Sequence, residues 1–256
     1  MVEKIKIAFL GFLLATLPLN LSCGIKIQSA NAGSPNKSYV KVFRELNVIE
    51  CQKDKKCKKG QFGSVGSGFS IYIHKKYNTI MTAGHVCDTG ITIDEFGHVS
   101  KYSVNFKVLN HENKVFQATP IIIYDKSKNI EHPDLCMLYV KDMKIPKLKF
   151  SRKAPKIGQK IISMSSPGGI YHPPVVPLFH GLYSGPISKN TALATVASSP
   201  GSSGGAIMTE NHKVVGVIYA VSVYNNTITL INDYDVTKKF IGEVQEIIEN
   251  YEKQSK

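Results

Sequence analysis

The feature that most constrains the fold is a succession of short segments rich in Val, Ile, Tyr and Phe, which runs from Tyr39 to about Asp235. Examples are SGFSIYI at 67–73, VNFKV at 104–108, TPIIIY at 119–124 and KVVGVIY at 213–219. Turn-forming Gly, Pro, Asn and Lys residues separate these segments, and strands do not alternate with helices. Many short strands in this arrangement are typical of an all-β sandwich or barrel.

The period of the apolar residues changes near the end of the chain. Helical spacing relates Val236, Phe240, Ile241, Val244, Ile248 and Tyr251. The pattern predicts an amphipathic C-terminal α-helix over about 236–252, with Asp235 or Thr237 as N-cap, packed on the β-structure. With 256 residues the chain can bury a sizeable core, so we expect one folded region over 39–256 after a polar linker at 33–38.

The first 32 residues read as a signal peptide. Lys4 and Lys6 precede an apolar run at 7–19, which is shorter than the roughly 20 residues that span a bilayer. Ala30-Asn31-Ala32 fits signal-peptidase cleavage, while Leu21-Ser22-Cys23-Gly24 is an imperfect lipoprotein box. We therefore expect a secreted or periplasmic protein, which would contact a membrane only if Cys23 carries a lipid.

Four cysteines remain after that segment: Cys51, Cys57, Cys87 and Cys136. An even number suits disulfides in an oxidising compartment, and three pairings are possible. Cys51 and Cys57 are close enough in sequence to staple a loop, which would leave Cys87 to pair with Cys136. Free buried thiols are the alternative.

The chain is basic, with 32 Lys and Arg against 19 Asp and Glu and a net charge of +13. This charge attracts anionic partners in general and identifies none of them, so no specific nucleic-acid partner is expected. Five lysines surround Cys57, namely Lys53, Lys55, Lys56, Lys58 and Lys59. They favour a solvated hairpin tip, with an anion-binding patch as the alternative.

The strongest chemical motif is PGSSGGA at 200–206, in which Ser203 is the candidate nucleophile. Small neighbours let a substrate approach the backbone, and the N–H groups of Gly201 and Ser203 can converge as an oxyanion hole. A flexible Gly-Ser linker would look similar, but strand-like segments flank the motif on both sides.

A nucleophilic serine needs a base and a carboxylate that orients it. His85 directly follows a strand-like segment in NTIMTAGHVC at 78–87, and His180 lies near a candidate pocket loop. Asp134 precedes an apolar run in EHPDLCMLYV at 131–140, where an unpaired carboxylate would be costly. Because Asp134 and Cys136 share a strand face, a Cys87–Cys136 disulfide would brace the His85–Asp134 pair.

The order His85, Asp134, Ser203 resembles that of chymotrypsin-fold serine proteases. The segments GSGF at 66–69, TAGHV at 82–86, DLCML at 134–138 and PGSSGG at 200–205 are most similar to the HtrA-like and bacterial glutamyl-endopeptidase branches. The resemblance implies two six-stranded antiparallel barrels with the cleft between them, a C-terminal helix, and hydrolysis of proteins or peptides without metal or organic cofactor. A catalytically silent binding protein on the same fold is the alternative.

Three departures from the resemblance bear on activation and specificity. Ser202 stands where pancreatic-type enzymes carry the Asp that pairs with a new N-terminus, so we do not expect that route of activation. Ala197 stands where trypsin-like pockets carry Asp, and Ile218 where glutamyl-specific enzymes carry His. We therefore expect a neutral, apolar specificity pocket lined by Ala197, Ser198, Ile218, Tyr219 and Ala220.

Overall fold

The structure is a computed structural model that describes residues 34–124, 132–222 and 224–254. The predicted signal peptide and Cys23 lie outside the described residues. Everything below concerns the unit formed by Ala32–Lys256.

The first half of the chain forms a closed antiparallel β-barrel. Its strands are β1 (Tyr39–Cys51), β2 (Gly60–Ile71), β3 (Thr79–Thr82), β4 (Val99–Leu109), β5 (Val115–Tyr124) and β6 (Leu135–Tyr139), with a short helix α1 (Ile93–Phe96) before β4. The order around the barrel is β1-β2-β3-β6-β5-β4, and β4 pairs back onto β1. Side chains at alternate strand positions fill the interior, among them Val40, Val42, Ile80, Phe106, Val108 and Leu138.

The second half forms another barrel from β8 to β13. The strands are β7 (Lys149–Phe150), β8 (Lys160–Met164), β9 (Leu178–Pro186), β10 (Thr191–Ala194), β11 (Ala206–Thr209), β12 (Lys213–Val221) and β13 (Thr229–Asn232). Their order is β11-β8-β9-β10-β13-β12, and the pairing of β11 with β12 closes the ring, while β7 adds a parallel pair beside β12. The predicted two-barrel, all-β fold is confirmed.

The C-terminal helix α2 (Tyr234–Gln254) packs against a core that both barrels share. Phe240, Val244 and Ile248 enter that core, as predicted, whereas Tyr251 is exposed. The helix starts two residues before the predicted boundary, and Asp233 rather than Asp235 or Thr237 precedes its first turn. The Asp233 carboxylate accepts a hydrogen bond from Tyr234 N–H at 2.7 Å, while Thr237 is buried inside the helix.

The predicted linker at 33–38 is partly structured. Pro35–Ser38 form a 3-10 turn in which Pro35 and Ser38 are buried. The packed structure therefore extends into the predicted linker, and the proline at the first position of the turn fixes a backbone angle that suits it.

Both disulfides named in the sequence analysis are present. Cys51–Cys57 closes the loop between β1 and β2, and Cys87–Cys136 joins the segment after β3 to β6. The second pair is completely buried, so the alternative of free thiols is wrong for all four cysteines.

We expect the two disulfides to stabilise the protein unequally. Cys87–Cys136 spans 49 residues and Cys51–Cys57 spans 6, and loop-closure entropy grows with loop length. Replacing the first pair with alanines should lower the free energy of unfolding by about 4 kcal/mol, and replacing the second pair by about 2 kcal/mol. Urea unfolding of the two double variants measures the difference, and an equal or larger loss from the shorter loop would contradict the prediction.

Candidate active site

The structure pairs His85 with Asp134 through two separate contacts. The Asp134 Oδ2 atom lies 2.7 Å from the His85 ring Nδ1, and Oδ1 accepts a hydrogen bond from the His85 backbone N–H at 2.8 Å. The Asp134 side chain is 7% exposed and the His85 side chain 39%. Because an ionised carboxylate only accepts hydrogen bonds, we assign the ring proton to Nδ1, which leaves Nε2 as the basic nitrogen.

Strand register explains why these two residues meet. β3 and β6 are antiparallel neighbours, and Thr82 lies opposite Cys136. His85 follows the end of β3 in the 3-10 turn Gly84–Cys87, and Asp134 directly precedes β6, so both lie at the same end of the strand pair. The Cys87–Cys136 disulfide links the two segments within two residues of each member, as the sequence analysis expected.

Asn232, at the end of β13, holds Asp134 from the second barrel. Its side-chain Oδ1 accepts from Asp134 N–H at 2.9 Å, and its Nδ2 donates to the Asp134 carbonyl at 2.7 Å. Asn232 is buried. Without these two bonds, the Asp134 N–H and C=O groups would lose their hydrogen bonds to water and gain none in the protein. The first barrel therefore holds the side chain of Asp134, and the second barrel holds its backbone.

Ser203 lies in a loop that is held by both barrels. Its carbonyl accepts from Ser67 N–H on β2 at 2.8 Å, and the next amide, Gly204 N–H, donates to Ile218 O on β12 at 2.7 Å. Gly204 has φ +88, and a Cβ there would collide with Ser67 O and Thr82 Oγ1 and lie 3.0 Å from Ala83 N. Only glycine allows this approach, which places the Ser203 loop directly against the segment that carries His85.

The peptide between Pro200 and Gly201 is held in one orientation. Gly168 N–H donates to the Pro200 carbonyl at 2.8 Å, and because N–H and C=O of a trans peptide point in opposite directions, Gly201 N–H is turned away from Gly168. No backbone carbonyl of the described residues accepts from Gly201 N–H or Ser203 N–H. Gly201 has φ +96, and a Cβ would lie 2.7 Å from Gly169 N and Ser166 O.

A buried hydroxyl network supports the same loop from behind. Ser67 Oγ donates to Gly201 O at 2.8 Å, and Ser166 Oγ does so at 3.4 Å. Tyr39 OH donates to Ser166 Oγ at 2.7 Å and lies 3.2 Å from Ser67 Oγ. Burial raises the pKa of Tyr39 to about 12, so its phenol stays a donor throughout the physiological pH range.

A cavity of about 240 Å³ lies beside Ser203. Its lining consists of Ser198, Ser199, Pro200, Ser202, Ser203, Ile218, Ala220 and Val221, none of which is charged. Three residues of the predicted pocket, Ser198, Ile218 and Ala220, are in this lining. At the cavity's buried side, Ser198 Oγ and Thr229 Oγ1 are 2.7 Å apart, so these hydroxyls satisfy one another.

The other two residues predicted for the pocket, Ala197 and Tyr219, do not line this cavity. The pairing of β12 with β13 shifts by one residue between Ile218 and Ala220, which places Tyr219 at a β-bulge. Its hydroxyl instead lies 3.0 Å from Thr191 Oγ1. Ser202 is buried, and its Oγ accepts from Ser199 N–H at 3.1 Å, which folds the loop on itself.

Sequence reasoning missed Asn232, Tyr39 and Ser166. Each acts through a contact with a residue that is about 100 or more positions away in the chain, 98 for Asn232 with Asp134 and 127 for Tyr39 with Ser166. No local motif surrounds any of the three. His180, the second histidine candidate, is exposed on β9.

No group of three or more His, Cys, Asp or Glu side chains within 34–124, 132–222 and 224–254 is placed to hold a metal ion.

Comparison with known proteins places this geometry in context. The sequence model of the trypsin-like peptidase domain matches residues 66–217. The active form of the Rv3671c protease from M. tuberculosis has a TM-score of 0.60 and 20% identity, with 82% of each chain covered. The serine endoprotease from Yersinia pestis also has a TM-score of 0.60, with 15% identity over 83% of this chain and 64% of that one. No curated protein sequence matches the chain.

Replacing Asn232 with alanine should remove both hydrogen bonds that hold the Asp134 backbone in position. Two buried backbone groups lose their partners, so the free energy of unfolding should fall by about 1–3 kcal/mol. We expect kcat on a peptide substrate to fall with little change in KM, because the His85 ring loses its fixed orientation.

Asn110→Ala is a matched control for that variant. Asn110 is a buried asparagine whose Oδ1 accepts from two backbone amides, Glu112 N–H and Lys114 N–H, in the loop between β4 and β5. It should lose stability without loss of kcat. Equal kcat values for the two variants, each measured while folded, would contradict a positioning role for Asn232.

Proposed function

The chain belongs to the family of trypsin-like peptidase domains, and on that premise we propose that it hydrolyses peptide bonds through a triad of Ser203, His85 and Asp134. The observation that carries the proposal is the double contact of the Asp134 carboxylate with His85, beside a loop that presents Ser203 and two N–H groups. A buried carboxylate that holds one imidazole at both ring and backbone suits a base that must keep one tautomer.

The reaction follows from that arrangement. His85 Nε2 removes the proton from Ser203 Oγ as this oxygen bonds to the carbonyl carbon of the substrate. The resulting oxyanion accepts hydrogen bonds from the N–H groups of Gly201 and Ser203. His85 then gives the proton to the departing amine, which leaves an acyl-enzyme. Water, deprotonated by His85, attacks the acyl carbon, and the proton returns to Ser203 as the acid product leaves.

The Gly201 amide contributes to catalysis only while its peptide stays in the observed orientation. Removing one oxyanion-hole donor typically lowers kcat by about 10²–10³-fold. Gly168 N–H donates to the Pro200 carbonyl, which belongs to the same peptide as the Gly201 amide. The hydroxyls of Ser67 and Ser166 donate to the Gly201 carbonyl of the next peptide. Ser202, at the position of the Asp that pairs with a newly cut N-terminus in pancreatic-type enzymes, is instead hydrogen-bonded within the loop, so the loop does not need that ion pair.

The neutral cavity beside Ser203 favours substrates with a small or medium apolar residue before the scissile bond. No lining residue can pair with a Lys, Arg or Glu side chain, and burying an unpaired charge there would be costly. The apolar walls come from Pro200, Ile218, Ala220 and Val221.

A secreted or periplasmic site of action fits this activity. Two disulfides persist most readily in oxidising compartments, and the apolar run at 7–19 precedes a small-x-small cleavage pattern. In the described part of the chain, no helix has both the length and the apolar character required to span a bilayer.

The triad predicts a definite hierarchy of losses in peptide hydrolysis. Asp134→Asn should lower kcat about 10⁴-fold, because the amide favours the wrong imidazole tautomer, and Ser203→Ala should lower it at least as far. Thermal unfolding of each variant shows whether it is folded. Ser188→Ala, at an exposed serine in the turn between β9 and β10, serves as the control and should retain most of the activity. A folded Ser203→Ala protein that cleaves at the wild-type rate would show that the chain is not this enzyme.

The cavity predicts the specificity profile of a peptide library varied at the residue before the scissile bond. We expect kcat/KM for Ala, Val or Leu to exceed that for Lys, Arg or Glu by more than about tenfold. Ser198→Asp should raise the relative rate for Lys and Arg, since it adds a carboxylate to the lining, whereas Tyr219→Phe should leave the profile unchanged. A wild-type preference for a charged residue would refute the neutral pocket.

A further inference from the structure

The loop that connects β1 to β2 carries charge that the peptidase chemistry does not use. We call residues 52–59 the lysine loop; its lysines are Lys53, Lys55, Lys56, Lys58 and Lys59, and all five are exposed. None of them forms an ion pair with a carboxylate of the described residues. Asp54 is the one acid within the loop, and Asp94 and Glu95 lie on the adjoining helix α1.

The backbone of the lysine loop is held in place by covalent and hydrogen bonds. A hairpin tip that is only solvated does not require them. The Cys51–Cys57 disulfide closes it, and three backbone hydrogen bonds tie it to the segment around Gly97. Lys58 N–H donates to Phe96 O at 2.8 Å, His98 N–H to Lys56 O at 3.1 Å, and Gln52 N–H to His98 O at 2.8 Å. Binding of a partner to these lysines therefore carries little entropic cost for ordering the loop backbone.

One edge of β2 leads from Ser203 to this loop. Ser67 turns its N–H to Ser203 and its C=O to Thr82, both away from β1. Because backbone groups alternate in direction along a strand and the register with β1 is regular, Val65, Gly63 and Gln61 present theirs to the same side. All three are exposed, and β3 pairs with β2 only from Phe69 to Ile71, so no described strand covers this edge.

The position of the β2 edge indicates which part of a bound substrate chain can lie along it. The cavity for the residue before the scissile bond is built from the second barrel, whereas β2 reaches Ser203 from the first. The segment after the scissile bond is therefore the one that can extend along β2. From Ser67 to Gly60 the strand covers about 23 Å at roughly 3.3 Å per residue.

We propose that the lysine loop is an exosite for protein substrates that carry an acidic segment about six to ten residues after the scissile bond. This inference rests on the proposed peptidase function. Several lysines held on one rigid loop give charge complementarity to Asp- or Glu-rich sequences, and the open β2 edge guides the chain between the two sites. The exosite acts on KM, because it touches no reacting atom.

The test uses the full chain and two quenched fluorescent peptides with the same cleavage sequence. One peptide continues into a Glu-rich tail and the other into a Gln-rich tail of equal length. We expect KM for the acidic tail to be lower by about tenfold at low ionic strength, with kcat unchanged, and the preference to shrink as salt is added. Equal KM values for the two peptides would overturn the proposal.

A charge-matched pair of variants tests the location of the exosite. In the first variant all five lysines of the lysine loop become Gln. In the second, five exposed lysines elsewhere become Gln: Lys141, Lys144, Lys153, Lys156 and Lys160. The first should lose the preference for the acidic tail and the second should keep it, while both cleave a short tail-less peptide at the wild-type rate. Loss of the preference in both variants would mean that only net charge matters.

Failure of the exosite can be told apart from failure of the proposed function. If the wild-type protein does not cleave the tail-less peptide, the peptidase assignment fails. Binding of the labelled acidic tail to the Ser203→Ala protein, followed by fluorescence anisotropy, tests the lysine loop independently of turnover. Binding to vesicles containing anionic lipid, without binding to the acidic peptide, would show that the loop recognises a membrane surface and would overturn the proposal.

Discussion

The rest of the site depends on how the buried Asp134 carboxylate is compensated. Taking one ion out of water costs several kcal/mol, which only close partners offset. His85 supplies two N–H groups to the carboxylate, and Asn232 satisfies the backbone of the same residue. His85 belongs to the first barrel and Asn232 to the second, so Asp134 has all four of these hydrogen bonds only when the barrels are docked.

The Ser203 loop obeys the same constraint. Its backbone is bonded to Ser67 on the first barrel and to Ile218 on the second, and Gly204 sits where any side chain would collide with the first barrel. Behind it, the hydroxyls of Tyr39, Ser67 and Ser166 hold the Gly201 carbonyl. The two barrels thus give the proposed nucleophile, base and oxyanion donors fixed backbone positions, which is the condition for electrostatic catalysis without rearrangement.

Local patterns were sufficient to predict what local physics determines. Strand composition predicted an all-β sandwich or barrel, and the resemblance to chymotrypsin-fold proteases narrowed this to two barrels. The helical period predicted α2, and small residues around Ser203 predicted a tight turn. The helix begins two residues before the predicted start, because the Asp233 carboxylate accepts from Tyr234 N–H there, and Asp233 was not among the N-cap candidates. The β-bulge at Tyr219 and the contact of its hydroxyl with Thr191 could not be predicted from the local sequence of β12. Asn232 and Tyr39 could not be found, since their partners are brought near only by the docking of two barrels.

The most direct test of the account asks whether Ser203 is an activated nucleophile. A fluorophosphonate probe reacts with serine hydroxyls that an adjacent base has activated, and mass spectrometry locates the adduct. We expect modification at Ser203 alone in the wild-type protein, and none in a folded His85→Ala variant. A folded wild-type protein that stays unmodified, or a Ser203 adduct that forms equally without His85, would contradict the assignment of these residues as the catalytic machinery.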